Sequence, residues 1–308
     1  MTNMPKKKSF KAGFVSIVGR PNVGKSTLLN SIVGQKVAIV SKIPQTTRNQ
    51  IRGIYNDERG QIVFIDTPGL VRGRDKLDQF MKQASFGTVG DVDCVIHLVD
   101  ANRSVKEDEQ MIIERLCDLK EPLILGLNKA DLKIKKVSEY VEVYQEKLRD
   151  KFNDQEKFVM LPLSGETDFN IDKLTEVLFK FLPESPALYP DNIVSDVPQR
   201  IAISDIIREK LLLILRDEIP YSVAVEIIMI ERRKNKLTYI EAVILVLETT
   251  HKEIVIGKKG KNLKQVGTLA RKELEGLLGR RVFIDLNVKI RKKWRDNISL
   301  LRDLGYGG

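Results

Sequence analysis

The feature that most limits the fold of this chain is the loop GRPNVGKS at residues 19–26. It lies between an apolar run rich in β-branched residues, FVSIV, and a run of helical periodicity, STLLNSIV. A loop of the pattern G-x-x-x-x-G-K-[S/T] needs this placement, because its backbone N–H groups and the N-terminus of the following helix bind phosphates. Lys25 would reach the β and γ oxygens, and the Ser26 hydroxyl would bind Mg²⁺. The motif predicts a nucleoside triphosphate site in an α/β fold.

Short apolar runs alternate with helical ones over residues 13–182, which we predict to form the nucleotide-binding domain. The predicted strands are FVSIV, KVAIV, QIVFI, CVIHLVD, PLILGLN and FVMLPLS, and the predicted helices between them include KSTLLNSIVG, EDEQMIIERLCDL, VSEYVEVYQEKL and IDKLTEVLFKFL. Near-continuous apolar strands separated by helices indicate a mostly parallel sheet with helices on both faces. Functional loops are then expected at the carboxyl ends of the strands.

A second, smaller domain is predicted over residues 200–308. Residues 1–12 are expected to be a flexible N-terminus, and residues 183–199 carry four prolines and no sustained periodicity, as in a linker. Beyond the linker the pattern reads helix, two β-rich runs around the turn RRKNK, helix, helix, the strand RVFIDLNVKI and a short final helix. This order predicts an α+β domain.

Three further motifs follow predicted strands of the first domain. In DTPG, residues 66–69, Asp66 is the expected carboxylate near Mg²⁺ through water, and the Gly69 N–H is the expected sensor of the γ-phosphate. In NKAD, residues 128–131, the Asn128 amide can meet the N7 edge of a base. In SGE, residues 164–166, the Gly165 N–H can reach a guanine O6.

Asp131 decides the base. Its carboxylate can accept two hydrogen bonds from N1 and N2 of guanine, whereas adenine would leave it unpaired, a difference worth about 10⁴-fold in sites built this way. The motifs in chain order predict a GTPase, with an ATP-dependent kinase or transporter subunit as the distant alternative. The predicted nucleotide-binding residues are Gly19, Asn22, Val23, Gly24, Lys25, Ser26, Thr27, Asp66, Gly69, Asn128, Lys129, Asp131, Ser164 and Gly165.

Hydrolysis must proceed without the glutamine that follows D-x-x-G in Ras-like enzymes, because the next residue is Leu70. The arrangement resembles the GTPases related to translation factors, several of which use an asparagine at the position of Asn22 to hold a potassium ion. We therefore expect slow, potassium-stimulated hydrolysis. The predicted catalytic residues are Lys25, Asn22, Thr47 and Gly69, and the predicted metal ligands are Ser26, Thr47 and, through water, Asp66.

Two segments are predicted to be the nucleotide-dependent switches. The first, SKIPQTTRNQ at residues 41–50, holds two adjacent threonines, and the spacing leaves Thr46 as an alternative to Thr47 for the metal. The second follows Asp66 and combines glycines and charges with a weakly amphipathic helix, as in a segment ordered by γ-phosphate.

Positive charge is concentrated at the C-terminus. Residues 251–308 hold 15 Lys and Arg against 6 Asp and Glu, a net charge of +9 that leaves +1 for the rest of the chain. This region contains GKKG at residues 257–260, between two helical runs and after the apolar run IVI. A helix–G-x-x-G–helix in this element order predicts a type II KH domain, whose loop clamps the backbone of about four nucleotides.

Single-stranded RNA is the expected ligand of that loop. Ile254, Ile256 and Val266 are expected to wall the groove for the bases, and Trp294 is expected to pack the domain rather than stack a base. The predicted RNA-binding residues are Ile256, Gly257, Lys258, Lys259, Gly260, Lys261 and Lys264.

Together, GRPNVGKS, PQTTR, DTPGL, NKAD and VIGKKGKNLKQVG resemble the Era family of bacterial GTPases over nearly the whole chain. The resemblance implies a GTPase, with Mg²⁺ as cofactor and GTP and GDP as ligands, that binds the 3′ end of small-subunit ribosomal RNA and assists assembly of the small ribosomal subunit. It also implies a cytoplasmic protein with peripheral contact to the inner face of the membrane. The alternative is a GTPase signalling switch whose basic domain docks on membrane or protein.

Two further features of the sequence concern the redox state of the cysteines and the possibility of a membrane-spanning helix. The only cysteines, Cys94 and Cys117, lie in apolar segments and are expected to be reduced, packed thiols of a cytosolic protein. No apolar run approaches the ~18 residues of a membrane-spanning helix.

Overall fold

The structure is a computed structural model that describes residues 9–69, 73, 75–87, 90–154 and 156–306. The described residues fall into two compact units, the first lying within residues 9–38, 50–69 and 83–196 and the second within residues 39–49, 73–82 and 197–306. The elements are β1 (Lys11–Val18), α1 (Lys25–Val33), β2 (Ile51–Asp57), β3 (Gly60–Asp66), α2 (Lys76–Phe86), β4 (Cys94–Asp100), α3 (Glu107–Leu116), β5 (Leu123–Asn128), α4 (Val137–Lys147), α5 (Arg149–Asn153), β6 (Phe158–Pro162), α6 (Ile171–Phe181), α7 (Gln199–Ile214), α8 (Ile219–Ser222), β7 (Ala224–Arg233), β8 (Leu237–Val246), α9 (Thr249–Ile256), α10 (Lys261–Leu278), β9 (Arg281–Ile290) and α11 (Ile298–Asp303).

The first unit is built on a six-stranded sheet in the order β2-β3-β1-β4-β5-β6. Its strands are parallel except β2, which pairs antiparallel with β3 at one edge. Every residue of β3, β4 and β5 is buried, which explains why their sequences are apolar almost without interruption. The predicted mostly parallel sheet is confirmed.

One predicted strand is wrong. The run KVAIV, residues 36–40, does not form a strand, because the Asn30 side chain forms hydrogen bonds with backbone groups that a strand would need. Its Oδ1 accepts from the N–H groups of Val37 and Ala38, both at 2.9 Å, and its Nδ2 donates to the Ala38 carbonyl at 2.8 Å. The sixth strand is β2 instead, which the sequence analysis missed.

The expected domain boundaries differ from the structure in detail. β1 begins at Lys11, inside the segment expected to be flexible. The proline-rich segment is tied to the first unit: the Ile54 N–H donates to the Val194 carbonyl at 2.9 Å, and Gln61 Oε1 accepts from the N–H of Leu188 and Tyr189 at 2.7 and 2.8 Å. Residues 183–196 are therefore fastened to the β2–β3 edge.

The second unit contains a three-stranded sheet in the order β7-β8-β9, with β8 antiparallel to β7 and parallel to β9. Helices α7, α9 and α10 supply Ile207, Val255 and Leu274 to the core on one face. On the other face, Trp294 is 1% exposed and donates from Nε1 to the Ser222 carbonyl at 3.0 Å. The predicted α+β domain is confirmed, and so is the packing role of Trp294.

Two smaller expectations can also be checked. Cys94 is a buried free thiol, as expected, but Cys117 is exposed, so the expectation that both are packed is wrong for Cys117. Within the described ranges, none of the helices combines the length and the apolarity that crossing a bilayer requires.

Candidate nucleotide and nucleic-acid sites

The phosphate loop joins β1 to α1 in the first unit. Gly24 is the N-cap of α1 with φ of 100°, and a Cβ there would lie 2.4 Å from Asn128 Nδ2, so this position needs glycine. Lys25 is 6% exposed, and its Nζ donates to the carbonyls of Gly19 and Arg20, both at 3.0 Å. Burial lowers the pKa of Lys25, and the charge of Asp66 partly opposes that shift.

A hydroxyl and a carboxylate meet beside this loop. Ser26, in the first turn of α1, donates from Oγ to Oδ2 of Asp66 at 2.6 Å, and Asp66 is fully buried at the carboxyl end of β3. Magnesium prefers oxygen ligands of this kind and usually keeps several waters. The donor set therefore fits Mg²⁺. Gly69 is close to the same loop, since a Cβ on it would lie 2.8 Å from the backbone nitrogen of Pro21.

The predicted base-binding residues also come together. Asn128, 3% exposed at the end of β5, donates from Nδ2 to the Val23 carbonyl at 2.7 Å and accepts at Oδ1 from the Gly165 N–H at 3.3 Å. Asp131 accepts at Oδ1 from Ser164 Oγ at 2.6 Å, yet the residue is exposed and open to a ligand.

Lys129 connects these loops to the phosphate loop: its Nζ donates to the Asn22 carbonyl at 3.2 Å and to Asp100 Oδ2 at 2.7 Å. Asn22 itself has φ of 63°, a left-handed conformation that asparagine tolerates better than most residues. Thr27 follows Ser26 in α1. The contacts place the predicted nucleotide residues of this unit in one cluster, and their individual roles stay predictions.

A buried polar network that the sequence analysis missed supports the phosphate loop. Arg20 Nε lies 2.6 Å from Oε2 of Glu109, which is fully buried in the first turn of α3. Glu109 Oε1 lies 2.9 Å from His97 Nε2, and Tyr140 donates to Oε2 at 3.2 Å. His97 Nδ1 lies 2.5 Å from the Tyr144 hydroxyl. A histidine inside the otherwise apolar strand CVIHLVD was the signal that could have revealed it.

Residues 41–49 of the predicted first switch belong to the second unit, and only its last residue, Gln50, belongs to the first. Residues Ile39–Asn49 cluster in the second unit, and the Thr46 carbonyl accepts a hydrogen bond from Arg208 of α7. Arg48 is 3% exposed; it donates to the Val223 carbonyl at 2.9 Å, and its guanidinium lies 5.7 Å from the ring centre of Trp294. The choice between Thr46 and Thr47 as metal ligand stays open.

The middle of the predicted second switch, described at residues 73 and 75–82, clusters in the same unit, whereas its two ends belong to the first unit. Arg295 donates from Nε to Asp75 Oδ2 at 2.5 Å and from Nη2 to Asp78 Oδ1 at 3.0 Å. Leu77 and Met81 of α2 are fully buried against a cluster that includes Leu301. Leu70, which occupies the position of the catalytic glutamine of Ras-like enzymes, lies outside the described residues.

The GKKG loop connects α9 to α10. Gly257 and Gly260 have φ of 73° and 75°, which a residue with a Cβ rarely adopts. Lys258 and Lys259 are exposed, as a phosphate clamp requires. Asn262 stabilises the loop by donating from Nδ2 to the Ile254 carbonyl at 2.8 Å.

One face of α10 lies next to the GKKG loop and forms an open depression of about 300 Å³. Lys261 and Lys264, which were both predicted to bind RNA, line this depression. Three further lining residues were not predicted, although their helical spacing from Lys261 could have indicated them: Gln265, Thr268 and Leu269. Ile256 is half-buried and packs partly against the core. Val266 is fully buried in the core, so the expectation that it walls a groove is wrong.

Comparison with known proteins decides the family. A family model described as a 50S ribosome-binding GTPase matches residues 14–129, and a KH domain model matches residues 218–295. GTPase Era of Halothermothrix orenii is 43% identical over 97% of this chain and 100% of its own, and GTPase Era of Geobacter metallireducens is 45% identical over 96% and 98%. This chain belongs to the Era family of GTPases.

Solved Era structures share the fold of the whole chain. The crystal structure of Era in complex with MgGDPNP and nucleotides 1506–1542 of 16S ribosomal RNA has a TM-score of 0.88, with 33% identity over 97% of this chain and 100% of that one. The crystal structure of a single-substitution variant of Aquifex aeolicus Era bound to GDP·AlF4⁻ also has a TM-score of 0.88, at 34% identity over 97% of this chain and 100% of that one. The family predicted from the motifs is confirmed.

Proposed function

We propose that this Era-family protein is a GTP-hydrolysing switch that binds the 3′ end of small-subunit ribosomal RNA and assists assembly of the small ribosomal subunit. The observation that carries the proposal is the GKKG loop with its two exposed lysines, within a KH domain whose C-terminal region has a net charge of +9. The RNA complex of the related Era supports the same ligand class.

In the nucleotide site, Lys25 and the N–H groups of the phosphate loop would hold the β- and γ-phosphates. Ser26 and, through water, Asp66 would hold Mg²⁺, with Thr47 supplied by the first switch. The ion, when bound, neutralises charge on the phosphate oxygens. Asn128 and Asp131 would bind guanine. We propose for this site the same nucleotide-binding residues that the sequence predicts. The residues proposed to act in hydrolysis are Lys25, Asn22, Thr47 and Gly69.

Coupling between the two ligands has a physical basis in the second unit. The segments proposed as switches, around Thr46 and Asp75, are hydrogen-bonded to Arg208 and Arg295, which belong to the same compact unit as the GKKG loop. A change of either segment with the nucleotide alters contacts of the RNA-binding domain. Such coupling must appear as a ratio of RNA affinities in the two nucleotide states.

Exchange of Lys258 and Lys259 for alanine is expected to weaken RNA binding and to reduce its salt dependence. Each lysine that neutralises a phosphate of single-stranded RNA contributes about 0.7 to the slope of log K against log salt, so the double variant is expected to lose about 1.4. The measurement is filter binding of a 3′-end oligonucleotide of small-subunit ribosomal RNA over a series of salt concentrations, with GDP and with GDPNP.

The matched control is Lys180→Ala with Lys173→Ala on α6, which removes two lysines from the first unit. Undiminished GTP binding by the Lys258/Lys259 variant shows that its first unit is folded, and a circular dichroism spectrum and melting curve matching the wild type show the same for the second unit. If the wild type binds the oligonucleotide in neither nucleotide state, the proposal is wrong. Binding to vesicles of anionic lipid in its place would favour the signalling switch that docks on a membrane.

We also propose that potassium stimulates hydrolysis through the Asn22 side chain. Turnover by the wild type is expected to be faster in KCl than in NaCl, and Asn22→Gly is expected to abolish the difference. Glycine removes the side chain without strain, because it readily adopts the φ of 63° found at this position. Phosphate release at equal ionic strength measures the effect.

Asn22→Asp is the companion variant, since it keeps a side-chain oxygen and tolerates the same backbone conformation. Equal turnover of the wild type in the two salts would refute the potassium proposal without affecting the GTPase assignment.

For its location in the cell, we propose a cytoplasmic protein with peripheral contact to the inner face of the membrane.

A further inference from the structure

Three planar groups form a stack on the face of the KH sheet opposite α10. The rings of Tyr239 on β8 and Phe283 on β9 are nearly parallel, with 9° between their planes and 5.7 Å between their centres. The Arg233 guanidinium of β7 lies 4.0 Å from the Tyr239 ring centre. Since β8 lies between β7 and β9, the stack runs across the sheet from Arg233 to Phe283.

The stack is open at its Phe283 end. β9 is the last strand of the sheet in the part of the chain that the structure describes, and Phe283 is 54% exposed. Its side chain points away from the core, because its neighbours Val282 and Ile284 pack into the core on the helical face. One ring face of Phe283 meets Tyr239, and the other turns to the free edge of the sheet.

The members of the stack are held in place by polar contacts. Arg233 Nε donates to Glu231 Oε2 at 2.6 Å, and the Tyr239 hydroxyl donates to Asp285 Oδ2 at 3.2 Å. The carboxylates of Glu231 and Asp285 are thereby engaged, and Glu241, two residues from Tyr239 on the same face of β8, adds a third negative charge beside the tyrosine. A ligand that adds to the stack meets a preorganised surface, which lowers the entropy cost of binding.

The surroundings are basic. Arg281 is exposed two residues before Phe283 and therefore on the same face of β9, and Lys289 is exposed farther along that face. The β7–β8 turn and the residue before β9 add further cations, namely Lys234, Lys236 and Arg280. An exposed aromatic plane among cations matches a nucleic acid base with its phosphates.

This surface is separate from the GKKG loop. The loop precedes Lys261 at the start of α10, and the 18 residues of that helix span about 27 Å before the chain returns to β9. Phe283 also lies on the opposite face of the sheet from α10. A base that contacts Phe283 therefore belongs to a different nucleotide from those clamped by the loop.

We propose that the free face of Phe283 stacks an unpaired base of the bound RNA, so that the KH domain holds RNA at a second point beyond the GKKG loop. This inference rests on the proposed RNA-binding function. Base stacking on an aromatic side chain contributes a factor of about 5 to 150 in affinity. It releases no counterions, so it leaves the salt slope unchanged.

The test compares Phe283→Leu, which keeps an apolar side chain without a ring, with Phe283→Trp, which keeps a plane. With the full-length protein and a 3′-end RNA of nucleotides 1506–1542, as used for the related Era, Phe283→Leu is expected to weaken binding by about 5- to 150-fold at an unchanged salt slope. Phe283→Trp is expected to retain binding, and saturating RNA is expected to quench its added tryptophan fluorescence relative to the wild type.

Leu277→Ala is the matched control, because Leu277 is also 54% exposed in the same domain but lies on α10. It is expected to leave RNA affinity unchanged. Wild-type affinity in Phe283→Leu, or unchanged fluorescence of Phe283→Trp at saturating RNA, would overturn the second contact alone. A change of sedimentation in Phe283→Leu without loss of RNA affinity would also overturn it, in favour of a protein partner. Failure of the wild type to bind RNA would refute both proposals.

Discussion

Replacing Asp131 with asparagine is expected to lower the affinity for GTP by about 10⁴-fold, while the protein remains folded. The Asp131 carboxylate is proposed to accept two N–H bonds from guanine, and a carboxamide would turn its own N–H₂ group toward those donors. The Asp131 side chain is exposed, and only its Oδ1 accepts the hydrogen bond from Ser164, so replacement by asparagine costs the fold little stability. The loss of affinity therefore reports recognition of the base.

The same variant is expected to bind xanthosine triphosphate more tightly than GTP. Xanthine carries a carbonyl at C2 in place of the amino group, and that carbonyl can accept from the new amide. Competition with a fluorescent nucleotide measures both affinities, and Asp172→Asn, an exposed aspartate on α6, is the control. A decrease for GTP of less than tenfold, or no preference for xanthosine triphosphate, would show that Asp131 does not read the base.

The contacts around Asn128 show why motif reasoning worked for the nucleotide cluster. Each motif directly follows a strand, and parallel strands end at one edge of the sheet, so the loops that carry Val23, Asn128 and Gly165 had to meet there. Their mutual hydrogen bonds follow from the topology alone. Chain order and strand ends were sufficient information.

Other features could not be read in this way, because they depend on residues far apart in the chain. The run KVAIV has the β-branched composition of a strand, but the Asn30 side chain in the preceding helix satisfies its backbone. The contact of Arg48 with Val223 joins residues 175 positions apart, and no local pattern marks either partner. The Tyr239–Phe283 stack likewise requires the register of β8 on β9, which only the folded sheet defines.

Glu109→Ala is expected to lower the free energy of unfolding by about 3–5 kcal/mol, because it leaves Arg20 without its buried partner. The side chain of Arg20 is only 10% exposed, and that of Glu109 is fully buried. His97 and Tyr140 lose their hydrogen bonds to the same carboxylate. Since Arg20 lies within the phosphate loop, GTP affinity is expected to fall as well. Urea unfolding and nucleotide titration measure the two effects.

Glu114→Ala is the control for that variant, since Glu114 lies on the same helix in an ion pair of 2.7 Å with Lys147 but is 58% exposed. Exposed pairs contribute little, so a much smaller loss than that of Glu109→Ala is expected. Equal destabilisation by the two variants would show that burial of the Glu109 pair is unimportant.

The effect of Glu109→Ala should also depend on pH. Burial disfavours the charged carboxylate, but the hydrogen bond from His97 and the charge of Arg20 outweigh it and hold the pKa of Glu109 below its usual value. A lowered pKa in the folded state stabilises the protein fully above the unfolded pKa of about 4.3, and this contribution is lost as the pH falls through the folded pKa. The difference in unfolding free energy between wild type and Glu109→Ala is therefore expected to be full at pH 7 and to shrink below about pH 4. If the difference in unfolding free energy stays constant down to pH 3, the Glu109 side chain supports the phosphate loop through its packing and not through its ion pair with Arg20.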